Sequence, residues 1–484
     1  MQWFNFQNDK SKTLWIFGIV GMFILINTFL IVAEFFWFPI IIGIILALIL
    51  AFFSADILLY LILFLTPLSV VFKDNNFNAG LSIPSEPLMI LLTGVFIFRI
   101  LYENSFDFKI TKHPVSIAIF VFLIWLFFTS IISELPLVSF KFLASKLWFI
   151  IPFYFMLTQL LKKNKVAIRN FFWAYSLGLC AVVIYTTVLH STYGFNEVVG
   201  HWIMSPFYND HTAYGAALAF YIPILFGLFY DNSYSRSKKL FVLLIFIVIF
   251  IGLYLSYSRA AWLGVTGAFA MFLIMKFRIK FYWIFAVIIL LVGFFFMFEN
   301  EIINKMSKNK QDSSKNLVEH IESISNISTD DSNLERINRW AAAIRMFKKR
   351  PFTGWGPGTY QFVYAPFQYS YEKTLISTNA GDKGTAHSEY IGPLAETGIP
   401  GLITFLAIVI LAIYTSAKVY YKSKSQSTKT YSMIALASLV TYLIHGFLNN
   451  FLDTDKLAVP FWGTIALIVV LDVYYLRNEE KLSE

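Results

Sequence analysis

A chain of 484 residues has room for about three soluble domains, yet a composition of 58% hydrophobic, 19% aromatic and only 14% charged residues is not that of soluble domains. Apolar runs longer than about 18 residues recur along most of its length, which places it in a bilayer and excludes a water-soluble enzyme. The single cysteine, Cys180, excludes disulfide frameworks, cysteine zinc sites and iron–sulfur clusters, and the net charge of +9 falls in small groups between apolar runs, a pattern of membrane orientation rather than of nucleic-acid binding.

The runs predict an all-α polytopic membrane protein with 12–14 transmembrane helices and one large extracytoplasmic loop containing short helices. Fourteen spans are expected, at 14–34, 36–53, 55–72, 85–102, 114–133, 144–161, 167–189, 211–230, 239–256, 258–275, 279–298, 400–417, 431–449 and 458–476. The first run ends in Glu34 and is followed at once by another, so no cleavable signal is expected. Alternate short connections carry 21 and five Lys or Arg residues, which puts both termini in the cytoplasm and the segment 299–399 outside it. The expected organisation is therefore N-terminal helices over 1–298, a large periplasmic loop over 299–399, and C-terminal helices with a short tail over 400–484.

Ser256-Tyr257-Ser258-Arg259 lies between two spans on the side where basic residues are scarce. Arg259 either snorkels to lipid phosphates or binds an anionic ligand, and an intramembrane arginine favours the second. His211, after Tyr208-Asn209-Asp210, opens a span on the same side. Within the loop, 305–332 is rich in Ser, Asn, Lys and Asp and reads as flexible. From Leu334 the residues Ile337, Trp340, Ala341, Ile344 and Phe347 recur at helical spacing, and Pro351 with Gly354, Gly356 and Gly358 ends the helix. Arg336 and Arg339 sit one turn apart, with Trp340 at i+4 from Arg336, a face suited to phosphate or sugar. The alternative is a solvated amphipathic helix, and for Arg345, Lys348, Lys349 and Arg350 that alternative is favoured. The glycine turn is expected to bring backbone N–H groups close to a ligand. It lacks the strand and the Lys-Ser/Thr of a nucleotide loop. A second helix is expected from His387 to Gly398, with a corner over Gly398-Ile399-Pro400-Gly401. His387 is either its cap or a functional group. The remaining histidines, His445 and His320 among them, read as structural. No carboxylate or histidine cage for a metal is visible, and no cofactor is expected.

Three motifs together resemble the O-antigen ligase and polymerase superfamily of bacterial inner-membrane glycan transferases. They are Ser258-Arg259-Ala260-Ala261-Trp262-Leu263-Gly264, Arg336-x-x-x-Trp340 continuing through Pro351 to Gly358, and Ala386-His387-Ser388-Glu389-Tyr390 continuing to Leu394-Ala395-Glu396-Thr397-Gly398. The resemblance covers roughly 205–470; Ser388 stands where an Asn is common. It implies transfer of a glycan from an undecaprenyl-diphosphate donor to an acceptor hydroxyl of a lipid A core, a growing polysaccharide or a protein, at the periplasmic face. It implies Arg259, Arg336 and Arg339 as ligands of the donor diphosphate in place of a metal, and His387 as general base in an inverting displacement. Trp340, Glu389, Tyr390 and His211 are expected to position glycan or acceptor. Lipids are the other expected partner. The competing class is a transporter of lipid-linked sugars, which keeps its polar site near the midplane; here the unusual residues gather at one face.

Overall fold

The computed structural model describes residues 37–74, 79–103, 106–279, 335–373 and 384–481, with a few single residues between 22 and 33. The spans expected at 14–34 and 279–298 and the segment 305–332 fall outside these stretches. The chain divides into two compact units, 1–59 and 60–484. Two short apolar helices come first, α1 (Trp37–Phe53) in the first unit and α2 (Ala55–Leu65) beginning there. The rest of the second unit holds α3 (Ser85–Glu103), α4 (Pro114–Ile131), α5 (Pro136–Leu161), α6 (Lys165–Thr192), α7 (His211–Phe229), α8 (Arg236–Leu255), α9 (Arg259–Lys276), α10 (335–349), α11 (Ile391–Lys422), α12 (Gln426–Leu448) and α13 (Asp455–Glu479). All of these except α10 are long and apolar enough to cross a membrane, ten spans among the described residues.

Three expectations need correction. The span predicted over 55–72 is an 11-residue helix followed by a hairpin, β1 (Val70–Asp74) against β2 (Ala79–Ile83). Pro67 lacks the N–H that would continue the helix. The Thr66 and Ser69 carbonyls instead accept from the buried Lys456 ammonium, each at 2.6 Å. The adjacent Asp455 accepts from the hydroxyls of Ser69, Ser82 and Ser85, so α13 holds the base of the hairpin by charge-assisted bonds. The span predicted at 144–161 starts at Pro136 and passes through a π-helical turn at Ile151–Met156, where Pro152 interrupts the i→i−4 ladder. The helix predicted from His387 starts at Ile391. His387 has a left-handed backbone (φ 48°), and the Ser388 hydroxyl accepts from the N–H groups of Tyr390 and Ile391 as a local cap. The corner at Gly398 is present as a kink with φ 68° inside α11, so the helix runs across the boundary expected at 399–400.

Packing brings α7, α9 and α12 into one group, sets α11 against α4 and α12, and surrounds α13 so that it is buried almost throughout. The described part of the loop has a core of its own: Ala342, Ala343 and Met346 of α10 against Tyr360, Tyr364, Phe367, Ala386 and Ala395. Trp355 and Ile391 close it at the edge. Helix ends and loop meet at one end of the bundle, as where Glu134 donates its N–H to the Trp355 carbonyl (3.0 Å) and Glu389 its N–H to the Gly446 carbonyl (2.8 Å).

Candidate functional site

At that end α7 begins with Asp210, whose carboxylate caps the helix by accepting from the N–H groups of Thr212 and Ala213, both at 2.8 Å. His211 follows and donates from Nδ1 to the Ser256 carbonyl (2.9 Å). This fixes the corner between α8 and α9 on the first turn of α7. The corner is tight: Tyr257 has φ 50°, and a Cβ on Gly215 would lie 2.6 Å from that of Ser258. Ser258 caps α9 and Arg259 is its first residue, exposed at the same end of the bundle.

The loop helix α10 delivers the other cations. Arg339 is buried, donates from Nε to Glu335 (2.7 Å) and from Nη1 to the Thr385 carbonyl (3.3 Å), and lies 5.2 Å from the Tyr364 ring centre. The structure therefore gives this guanidinium internal partners, and it holds the 384–387 segment against α10. Arg336, half-buried one turn earlier, has its proton affinity pulled down by desolvation, which Asp210 opposes. Trp340 packs edge-on to Phe447 of α12 (centroids 5.5 Å).

His387 joins these elements. Half-buried, it has its pKa pushed down to about 4, by burial first and then by the positive charges of Arg339 and Arg336, with Asp210 and Glu335 acting in the other direction. Of the residues singled out from sequence, His387, Arg336 and Arg339 thus share one electrostatic environment, and His211 enters it beside Asp210. Two members were missed. Asp210 was not singled out, and His445 reads as a structural histidine; His445 is buried on α12, within electrostatic reach of Asp210, Arg336 and His211, with the Asn449 amide 3.3 Å from its Nε2. The only sequence signal for His445 is its place in the last turn of a span ending on the same side as His387.

Glu389 and Tyr390 turn elsewhere. Glu389 is buried and accepts from the Tyr442 hydroxyl and the Leu452 N–H (2.9 Å), and burial with Asp453 nearby holds its carboxyl above the usual range. Tyr390 donates to the Leu443 carbonyl (2.8 Å). Thr385, Ala386, Ser388 and Glu389 line a cavity of about 780 Å³. Glu396, Asn450, Lys146 and Asp453 add polar groups to it, the last two ion-paired at 2.7 Å. Trp148 and Trp462 also line it, and both indole N–H groups are buried without a hydrogen-bond partner among the described residues.

The glycine turn does not offer its N–H groups to a ligand as expected. Gly354, Gly356 and Gly358 all have positive φ, but Trp355 and Gly356 donate to the Ala395 and Glu396 carbonyls, and Tyr360 donates to the Glu396 carboxylate (2.9 Å). The turn docks the loop onto the start of α11. Arg350 likewise pairs with Glu134 (2.9 Å) and Arg345 with Glu372, so these two are tied to the protein rather than being free on a solvated helix face. Among the described residues, no group of three or more His, Cys, Asp or Glu side chains is placed to hold a metal ion.

Residues 242–406, from within α8 through the loop into α11, match the family model described as O-antigen ligase. The match takes in Arg259, Arg336, Arg339 and His387 and leaves His211 and His445 outside. A comparison with curated proteins gave no match. The chain is thus a multi-pass membrane protein whose residues 242–406 match an O-antigen ligase domain, in support of the superfamily its three motifs resemble.

Proposed function

We propose that the chain transfers a glycan from undecaprenyl diphosphate to an acceptor hydroxyl at the periplasmic face of the bacterial inner membrane. The observation that carries this reading is the meeting of His387 with Arg336, Arg339 and Asp210 at one end of the bundle. The acceptor oxygen attacks the anomeric carbon from the side opposite the diphosphate. The bond from that carbon to the diphosphate oxygen breaks, the hydroxyl proton passes to the His387 imidazole, and undecaprenyl diphosphate leaves with the electron pair. Inversion follows from a single displacement. Arg336 and Arg259 hold the diphosphate as charge builds on it, and Arg339, braced by Glu335, adds its field and fixes the His387 segment. A depressed pKa keeps His387 neutral at ordinary pH, so it is free to accept a proton. The bound dianion offsets the arginines and raises the imidazole's proton affinity when the donor is in place.

The acceptor side of the reading rests on the adjoining cavity. Carboxylates, an amide and two unpaired indole N–H groups between aromatic walls are the chemistry of a sugar site, which favours a saccharide acceptor, lipid A core or growing glycan, over a protein hydroxyl. Deletion of the gene followed by gel analysis of lipopolysaccharide, capsule and glycoproteins tests this; loss of glycoprotein alone would overturn it.

Arg336→Lys and Arg259→Lys should each weaken donor binding by roughly tenfold or more, because an ammonium loses the bidentate contact to phosphate. Measured binding of lipid-linked donor to purified variants decides; wild-type affinity in both would remove the diphosphate role. Transfer should survive EDTA, and loss of activity restored by a divalent ion would defeat the metal-independent scheme. For orientation, alkaline phosphatase fused at Ser313 should be active and at Ser483 inactive, following the charge bias of the short connections. The reverse pattern would invert the topology.

A further inference from the structure

The opposite end of the bundle, where α6 and α8 begin, is rich in basic residues and carries a second cavity, of about 250 Å³. Arg169, one turn into α6, and Lys238, in the first turn of α8, both reach toward Tyr234, with the guanidinium 5.7 Å and the ammonium 6.0 Å from its ring centre. Tyr234 is held in place as the acceptor of a hydrogen bond from Trp173 Nε1 (2.7 Å), and Trp173 stacks on Phe241 (5.3 Å between centroids). Arg169 donates from Nη1 to the Ser233 hydroxyl (2.6 Å) and lies 4.0 Å from Asp231, which also accepts from the Tyr431 hydroxyl. Asp231 therefore offsets part of one positive charge. The Lys238 ammonium is exposed and has no hydrogen bond or ion pair among the described residues.

We propose that this cavity binds the phosphate of an anionic phospholipid headgroup. Two cations converge on a pre-set aromatic floor, with Asn170 beside them as a polar wall. The position favours a lipid over a dissolved phosphate. Both cations lie within the first two turns of membrane-spanning helices, where headgroups sit, and Val166, Leu240 and Phe241 are exposed beside the cavity, an apolar rim for acyl chains. The inference does not depend on the glycan-transfer reading, since none of these residues belongs to the site at the other end.

The test uses the full chain purified in a non-ionic detergent. Retention of phosphatidylglycerol and of phosphatidylethanolamine is measured by native mass spectrometry, and thermal stability with each lipid and with inorganic phosphate. Phosphatidylglycerol should be retained preferentially and should raise the melting temperature; phosphatidylethanolamine and inorganic phosphate should not. The Arg169→Gln/Lys238→Gln double variant should lose phosphatidylglycerol retention by an order of magnitude or more, at about fivefold per interfacial cation. Lys238→Gln alone, at an exposed position, keeps the fold and should show about a fivefold loss. Equal retention of the two lipids, unchanged retention in Lys238→Gln, or equal protection by inorganic phosphate would each overturn the proposal, the last by making this a site for a free anion.

Discussion

His387→Ala should insert and fold, keep donor affinity within a few-fold, and lose about 10²–10⁴-fold in transfer rate, the usual loss on removing a positioned base. The imidazole has to be neutral to take the proton, so activity is present above its pKa and is lost as pH falls through it. In kcat/KM, which reports the free enzyme, the acid limb should lie near the depressed value of about 4. In kcat it should lie higher, because the bound diphosphate offsets the arginines that hold the imidazole down. The measurement is transfer by purified protein with defined donor and acceptor over pH 3.5–8.5. An unchanged rate in His387→Ala would end the assignment, whereas loss of donor binding with normal turnover of bound donor would make His387 a diphosphate ligand.

Gly398→Ala should have the second large effect, through structure rather than chemistry. At φ 68° and ψ −171° the residue occupies a region open essentially to glycine alone. A Cβ there would lie 2.2 Å from the Phe352 carbonyl oxygen and 2.4 Å from its carbon, both backbone atoms that no rotamer change can move aside. The neighbouring bond from the Ile399 N–H to the Pro351 carbonyl (2.9 Å) would be pushed apart with them. Backbone strain and lost hydrogen bonds together cost on the order of 3 kcal/mol or more. The loop should undock from α11, seen as a lowered melting temperature, faster proteolysis at the basic residues around Arg350, and loss of donor binding as well as transfer. Gly392→Ala is the control. Its Cβ would make an ordinary 3.5 Å contact with Ala386, so stability should hold. Equal stability of the two variants would show that the kink is not what seats the loop.

The membrane helices were legible because apolar run length is a direct record of bilayer thickness, and α3, α4 and α6–α9 lie close to where hydropathy puts them. The hairpin at 70–83 was not, since the apolar residues of 55–72 satisfy a hydropathy average whether they continue a helix or turn back at Pro67. The deciding partners, Asp455 and Lys456, lie nearly 400 residues away. Of the candidate site, His387 was legible as a histidine where the loop returns to the membrane, whereas Arg259, a cation where cations are scarce, lies at the same end of the bundle outside the group of charges that acts on His387. Asp210 and His445 break no local pattern, because a helix cap and a histidine near a helix end are each ordinary. Their interest comes from which helix ends meet, information carried by packing of α7 against α12 and not by spacing along the chain. The glycine turn was visible as a turn, but its partner was not: Glu396 takes the N–H of Tyr360.

The brace between Glu335 and Arg339, with Asp210 facing Arg336, has a consequence for what the resting protein captures. Two carboxylates stand against two guanidiniums around His387, so Glu335 and Asp210 offset part of the positive charge that Arg339 and Arg336 place there. A small anion diffusing in from solution gains only the remaining attraction and must give up its hydration to enter. A diphosphate tethered to a lipid in the same bilayer meets the site at an effective concentration set by the membrane, far above that of a solute, and its prenyl chain contributes affinity that charge alone does not. On the glycan-transfer reading, rejection of stray anions is then a matter of anchorage: the protein selects its donor by where the donor lives.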